Sequence, residues 1–171
     1  MGRTPHSKHE AVANVIEAAL PSGFTLIKDE ACGGKQRIPL FNSDTKSRKT
    51  EYCNVDLLVL KDDKIKMIIE IEESNVKPTQ VCGKFLTSAL AKYYIHNSQD
   101  KPIEMGEMVN FIQIVDASKL SKNKTMKPEQ WKELANSINK VLPLRDSRIT
   151  AYWILSSDKL SELETLIKEN K

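Results

Sequence analysis

Five apolar segments alternate with amphipathic segments along the chain and predict a domain built from a sheet and helices. Each apolar segment is a run of seven or eight residues, a length typical of strands that are at least half buried. We predict five strands: Phe24–Glu30, Asn54–Leu60, Ile65–Glu72, Val109–Val115 and Ile149–Leu155.

Four further segments have helical periodicity. Apolar residues in Lys8–Leu20 follow the i, i+3, i+4, i+7, i+8 pattern, and Pro21-Ser22-Gly23 ends this helix. The other helices are predicted from Pro78 to about His96, from Lys127 to about Val141, and after Ser157, which can cap the last one. The order α-β-β-β-α-β-α-β-α predicts an α/β fold with a mixed sheet of about five strands and helices on both sides. No segment resembles a linker, so residues 1–171 are predicted to form one domain.

Composition narrows the function only slightly. The chain has 171 residues, 29% of them charged, and a formal net charge of +3, which is compatible with a polyanion partner but does not require one. Three scattered cysteines without a CxxC motif argue against a zinc site and favour a reducing compartment. No signal-type run or stretch of about 18 apolar residues occurs, so we expect a cytoplasmic protein without a membrane partner.

Carboxylates interrupt two neighbouring apolar segments. Glu70 and Glu72 alternate within a strand and therefore share one face, where they repel each other unless a positive group joins them. Asp56 shares that face if paired residue numbers sum to 126, a register that leaves Asp62-Asp63-Lys64 as a three-residue turn. A two-residue turn would move Asp56 to the opposite face.

Three carboxylates on one face suit a hard cation such as Mg²⁺, with Mn²⁺ as a substitute, which can polarise a phosphodiester and activate a water molecule. The alternative is a solvated sheet face shared with Lys66. The neighbouring isoleucines Ile68, Ile69 and Ile71 favour an interior strand over that alternative.

Asp56, followed fourteen positions later by Glu70-Ile71-Glu72 at the end of an apolar strand, resembles the motif of the PD-(D/E)XK nuclease superfamily. The α-β-β-β-α-β order is the common core of that superfamily, and the resemblance covers roughly residues 8 to 115. It implies a restriction endonuclease-like fold and Mg²⁺-dependent cleavage of double-stranded DNA, with Asp56 and Glu70 as metal ligands. Many members are restriction endonucleases, which leads us to expect a type II restriction endonuclease.

Two positions depart from the superfamily pattern. Val55 precedes Asp56 where proline is common, and Glu72 stands at the lysine position. Some restriction enzymes use Glu-x-Glu there, which implies that Glu72 acts on the attacking water. Other members carry the lysine on the following helix, where Lys84, or Lys77 in the loop before it, can serve. We expect Glu72 to act on the attacking water and Lys84 to assist it. The alternative is that catalysis has been lost.

Two more residues can flank this site. Gln80 lies four positions before Lys84 and therefore on the same helix face. Glu10 fits a family habit in which a glutamate of the first helix flanks the metal, although it falls nearly opposite the apolar stripe. His9 lies nearer the edge of that stripe, where we expect packing or capping rather than catalysis.

A long polar segment, residues 32–50, precedes the strand of Asp56. Such loops are usually functional or disordered, and Lys, Arg and Gln side chains are those that contact phosphates and base edges. We predict DNA contacts from Lys35, Gln36, Arg37, Lys46, Arg48 and Lys49. A solvated loop is the alternative, and a second basic segment, residues 118–127, is expected to be solvated.

Two other functions are compatible with these residues. One is a Holliday-junction-resolvase-like nuclease, which Glu10 would suit; the other is a non-catalytic nucleic-acid-binding module, against which the three acids argue because they repel phosphates. The polar segment and the elements after residue 115 favour the restriction enzyme. Cutting both strands of a symmetric site leads us to expect a homodimer, with Ile149–Leu155 or the last helix at the contact.

Overall fold

A mixed sheet between two layers of helices forms the centre of the structure, a computed structural model that describes residues 7–73, 76–116 and 128–169. Within these ranges the helices are α1 (Ser7–Ala19), α2 (Pro78–Leu90), α3 (Pro128–Val141) and α4 (Leu160–Glu169). The strands are β1 (Phe24–Lys28), β2 (Pro39–Phe41), β3 (Glu51–Asn54), β4 (Leu57–Lys61), β5 (Lys64–Glu72), β6 (Tyr93–Ile95), β7 (Pro102–Val115) and β8 (Ile149–Ser156).

The five predicted strands are all present as β1, β4, β5, β7 and β8, and they lie side by side in that order. Strand β4 runs antiparallel to both β1 and β5, whereas β5, β7 and β8 run parallel to one another. The mixed α/β architecture with helices on both faces is therefore confirmed.

Three short strands were not predicted. Strands β2, β3 and β6 form an antiparallel extension attached to the first residues of β7, which gives eight strands in the described part of the chain rather than about five. The helix predicted to reach about His96 ends at Leu90, because Ala91 is already extended and Tyr93–Ile95 pairs with β7. The polar segment 32–50 contains β2, whose Leu40 and Phe41 are buried.

The apolar side chains pack in two layers, one on each face of the sheet. On one face Ile68 of β5 packs with Phe85 of α2 and with residues of α3. On the other face Ile69 and Ile71 pack with Ile16 of α1 and with residues of α4. Strand alternation therefore directs the side chains of residues 70 and 72 toward the α2 face. No helix within the described ranges is long and apolar enough to cross a membrane.

Candidate active site

The hairpin of β4 and β5 brings Asp56 beside Glu70. Leu57 pairs with Ile69 and Leu58 pairs with Ile68, so the residue numbers sum to 126 as predicted. One step further along this register, Asp56 lies opposite Glu70. The register that the acids require is therefore confirmed at this end of the hairpin.

The turn of this hairpin differs from the prediction. Lys61 pairs with Lys64, so the turn has two residues, Asp62 and Asp63, rather than three. Both have positive φ angles, 52° and 54°, which fits the two-residue turn that matches strand twist and which aspartate tolerates. A turn of this length alone would place Asp56 on the wrong face.

A β-bulge next to the turn restores the register. Leu60 pairs with Ile65 but Val59 pairs with Met67, which leaves Lys66 as an extra residue on β5. The bulge shifts the pairing by one position and returns Asp56 to Glu70. The bulge, and not the turn, therefore brings the acids together.

The positive group between the two glutamates is the ammonium of Lys84. Its Nζ atom lies 3.0 Å from Oε2 of Glu70 and 2.7 Å from Oε1 of Glu72. The two glutamate side chains are 2% and 7% exposed, whereas that of Lys84 is 34% exposed, so the lysine closes the site toward solvent. Burial opposes charge on Lys84, but Glu70 and Glu72 outweigh it and raise the pKa of Lys84 above its usual value. The two glutamates therefore hold Lys84 in its charged form.

Asp56 and Glu70 form a close pair of carboxyl groups. Oδ2 of Asp56 accepts a hydrogen bond from the backbone N–H of Ile71 at 2.7 Å. Burial raises the pKa of Asp56 and raises that of Glu70 well above its usual value; contact with Asp56 adds to the rise at Glu70, and Lys84 opposes it. Two negative charges are disfavoured here, and a divalent cation would offset them.

The donor set of this pair fits Mg²⁺. No group of three or more His, Cys, Asp or Glu side chains within the described ranges is arranged to hold a metal ion by itself. Mg²⁺, however, is commonly bound by one or two carboxylates, with water and substrate phosphate at its other positions. Asp56 and Glu70 would supply those two carboxylates, while Glu72 is held by Lys84.

The other residues predicted to flank the site, Lys77, Gln80 and Glu10, lie at its exposed margin. Lys77 and Gln80 are exposed at the start of α2, and Lys84 is the α2 residue joined to the glutamates. Glu10 is exposed on α1, and its side chain lies next to Gly33.

On α1 the neighbour of the acids is His9, one position before Glu10. Its Nδ1 atom is 2.7 Å from Oε1 of Glu73, and its Nε2 atom is 3.9 Å from Oδ2 of Asp56. The ring is largely buried. The sequence indicated only packing or capping for His9, because its partners are far away along the chain.

The predicted DNA-binding residues lie in two groups on either side of β2. Lys35, Gln36 and Arg37 precede β2; Lys35 and Arg37 are exposed, and Arg37 contacts Oε1 of Glu51 at 3.2 Å. The second group is exposed in the connection between β2 and β3, and consists of Lys46, Arg48 and Lys49. The second basic segment, residues 118–127, lies outside the described residues.

Two buried residues near Glu72 were missed. Nε2 of Gln113 on β7 donates to Oε1 of Glu72 at 3.4 Å, and the hydroxyl of Tyr152 on β8 donates to Oε1 of Gln113 at 2.8 Å. The sequence carried a signal for one of them, because Gln113 is a polar residue near the centre of the apolar segment Val109–Val115.

Comparison of the chain with protein-family models, with curated proteins and with solved structures finds no match.

Proposed function

We propose that the protein is a Mg²⁺-dependent endonuclease that hydrolyses phosphodiester bonds of double-stranded DNA, acting as a type II restriction endonuclease at a short specific site. The observation that carries this proposal is the cluster at the end of β5, where Asp56 contacts Glu70 and Lys84 joins Glu70 to Glu72. The element order α1, β1, β4, β5, α2, β7 supports it, because it follows the α-β-β-β-α-β core of the PD-(D/E)XK superfamily, with β2, β3 and β6 as insertions.

Each residue of the cluster has a role that its surroundings suit. Asp56 and Glu70 would hold the Mg²⁺ ion, which when bound polarises a phosphate oxygen and lowers the pKa of a water molecule. Glu72 orients the attacking water, since its carboxylate is fixed by Lys84 and Gln113. Lys84 is held in its charged form beside these acids and stabilises the negative charge that develops on the phosphate.

A module that only binds nucleic acid would gain nothing from this cluster. Buried carboxylates repel phosphates, and their desolvation lowers the stability of the fold. A site where a cation and a reacting phosphate use these carboxylates would offset that cost. The burial of Glu70 and Glu72 therefore favours a hydrolase over a binding module.

We further propose that two chains act together, one on each DNA strand. The outermost strand β8 leaves Trp153 39% exposed, beside a groove of about 380 Å³ between β8 and α4. A two-fold contact at this edge would match the symmetry of a palindromic DNA site.

The purified protein should cut plasmid DNA into discrete fragments in the presence of Mg²⁺, and EDTA should stop the reaction. Mn²⁺ should restore cleavage, because it also accepts oxygen ligands. Gel electrophoresis measures the cleavage of plasmid DNA, linear duplexes and four-way junctions under the same conditions. Preferential cleavage of the four-way junction would favour the resolvase-like alternative, and no cleavage of any DNA with either metal would contradict the nuclease proposal.

Replacement of Arg37 by alanine tests whether the segment before β2 recognises bases. If Arg37 makes a bidentate base contact, the variant should lose about 1–3 kcal/mol of affinity for the duplex that the wild type cuts and much less for a scrambled duplex. Lys46→Ala and Lys49→Ala should weaken binding to both duplexes equally and reduce the salt dependence by about one unit each, as expected for phosphate contacts.

Anisotropy titrations in EDTA at two salt concentrations measure both quantities. The control is Lys101→Ala, which removes an exposed lysine that contacts Asp63 near the hairpin turn. If the variants at Arg37, Lys46 and Lys49 all behave like this control, these residues do not contact DNA.

A further inference from the structure

A buried chain of hydrogen bonds leads from Glu72 into the core. Gln113 donates to Glu72, and Tyr152 donates to Gln113. Gln113 is 0% exposed and Tyr152 is 1% exposed. The three residues come from the parallel strands β5, β7 and β8, so this chain of hydrogen bonds crosses the sheet from the candidate site to its outermost strand.

The Glu72 carboxylate and the Tyr152 hydroxyl hold the Gln113 amide from its two ends. A carboxylate only accepts hydrogen bonds, so Gln113 turns its NH₂ group toward Glu72 and its oxygen toward Tyr152, whose hydroxyl donates. Without the hydroxyl, the buried amide oxygen would lose this donor and the amide would lose one of its two restraints. Tyr152 thus restrains the amide that supports Glu72.

Tyr152 is itself held from two sides. The side chain of Asn139 on α3 donates to the backbone carbonyl of Tyr152 at 2.8 Å and accepts from its N–H at 3.0 Å. The ring stacks on Phe111, with centroids 5.7 Å apart, and meets Phe85 edge to face. These contacts fix the position of the hydroxyl, so elements after residue 115 bear on the geometry of the site.

We propose that Gln113 and Tyr152 are positioning residues that orient Glu72 for the nuclease reaction. This inference rests on the proposed function, in which Glu72 orients the attacking water. Lys84 and Gln113 both donate to Oε1 of Glu72, which restrains rotation of the carboxylate. The other oxygen, Oε2, is then the one that accepts a hydrogen bond from the water.

Tyr152→Phe tests the inference, because it removes the hydroxyl and keeps the ring. The chain offers a matched control in Tyr94→Phe. Tyr94 is also 1% exposed and packs in the same apolar layer, but its hydroxyl has no hydrogen-bond partner among the described residues. Both variants lose the same atom from the same core, and only one of them interrupts the hydrogen-bond chain.

Single-turnover cleavage should be about five- to tenfold slower in Tyr152→Phe, the effect of one lost hydrogen bond, while its affinity for DNA stays unchanged. Tyr94→Phe should cleave at the wild-type rate. Thermal unfolding of both variants separates this effect from a general loss of stability. Equal rates for the two variants in an active protein would overturn the positioning role.

A second measurement does not depend on activity. Hydrogen exchange of the Gln113 side-chain amide, followed by NMR and assigned with Gln113→Leu, should be faster in Tyr152→Phe than in wild type and in Tyr94→Phe. Equal exchange in all three proteins would overturn the proposed restraint of the amide by Tyr152. A wild-type protein that cleaves no DNA would instead overturn the proposed function, and with it the catalytic role of the hydrogen bonds from Tyr152 to Glu72.

Discussion

Replacement of Asp56 by asparagine, or of Glu70 by glutamine, should reduce Mg²⁺-dependent cleavage by about a thousandfold or more, because each removes one of two carboxylates that would hold the metal. Both variants keep an acceptor for the existing hydrogen bonds, to the N–H of Ile71 and to Lys84 respectively. The rate of plasmid cleavage at saturating Mg²⁺ measures the loss. Affinity for DNA in EDTA should be unchanged or tighter, since a charge that repels phosphate is gone.

The same variants should fold as stably as the wild type, or more stably, in EDTA. The folded-state pKa of Glu70 lies above its ordinary value of 4.5, so in the window above 4.5 the folded protein binds more protons than the unfolded chain. Stability therefore falls as pH rises through this window, and Glu70→Gln should remove that part of the dependence. Urea titrations at several pH values measure it.

Glu104→Gln is the matched control, because the Glu104 side chain is about half exposed, pairs with Lys64 and has a pKa lowered by that lysine. It should cleave DNA like the wild type. Cleavage by Asp56→Asn or Glu70→Gln at the wild-type rate would show that these residues are not the metal ligands.

The main sheet could be predicted because its strands are long apolar runs. Strands β2 and β6 have only three residues each, too few to show a period. Tyr94 was assigned to a helix because it lies four positions after Leu90, and neither glycine nor proline marks the end of α2 at that point. The backbone pairing with β7 that makes Tyr93–Ile95 a strand is a tertiary interaction without a local signal.

Residues of the candidate site could be predicted where their position within a single helix or strand indicates their role. Lys84 was identified from its place on the helix that follows the acidic strand, and the structure brings it to both glutamates. The bulge at Lys66 was not predictable, and the register of Asp56 was correct although the turn was wrong. His9 meets Glu73, 64 positions away, so only the folded chain reveals their contact.

Replacement of Lys84 by methionine should destabilise the metal-free protein by about 2–4 kcal/mol. Removal of one partner from a buried ion pair leaves an uncompensated charge, and here the side chains of Glu70 and Glu72 are almost fully buried. The expected loss extends below the usual range for buried pairs because the Lys84 side chain is one-third exposed and solvent screens part of the interaction. Urea unfolding in EDTA measures the loss.

Two changes of solution should reverse this loss. Acidification should restore stability to Lys84→Met more than to the wild type, because protonation of Glu70 removes the buried charge that Lys84 no longer balances. Mg²⁺ should also restore it, since a ligand that binds only the folded state stabilises it. Lys77→Met removes an exposed lysine just before α2 and serves as the control, for which neither effect is expected.

Cleavage by Lys84→Met separates the two roles of the lysine. If Lys84 only neutralises the acids, Mg²⁺ should restore both stability and cleavage. We expect stability to return while cleavage stays about a hundredfold below the wild-type rate, because a methionine cannot stabilise the charge that develops on the phosphate. Unchanged stability of Lys84→Met in EDTA would show that Glu70 and Glu72 do not depend on this ammonium, and full cleavage with Mg²⁺ would restrict Lys84 to a structural role.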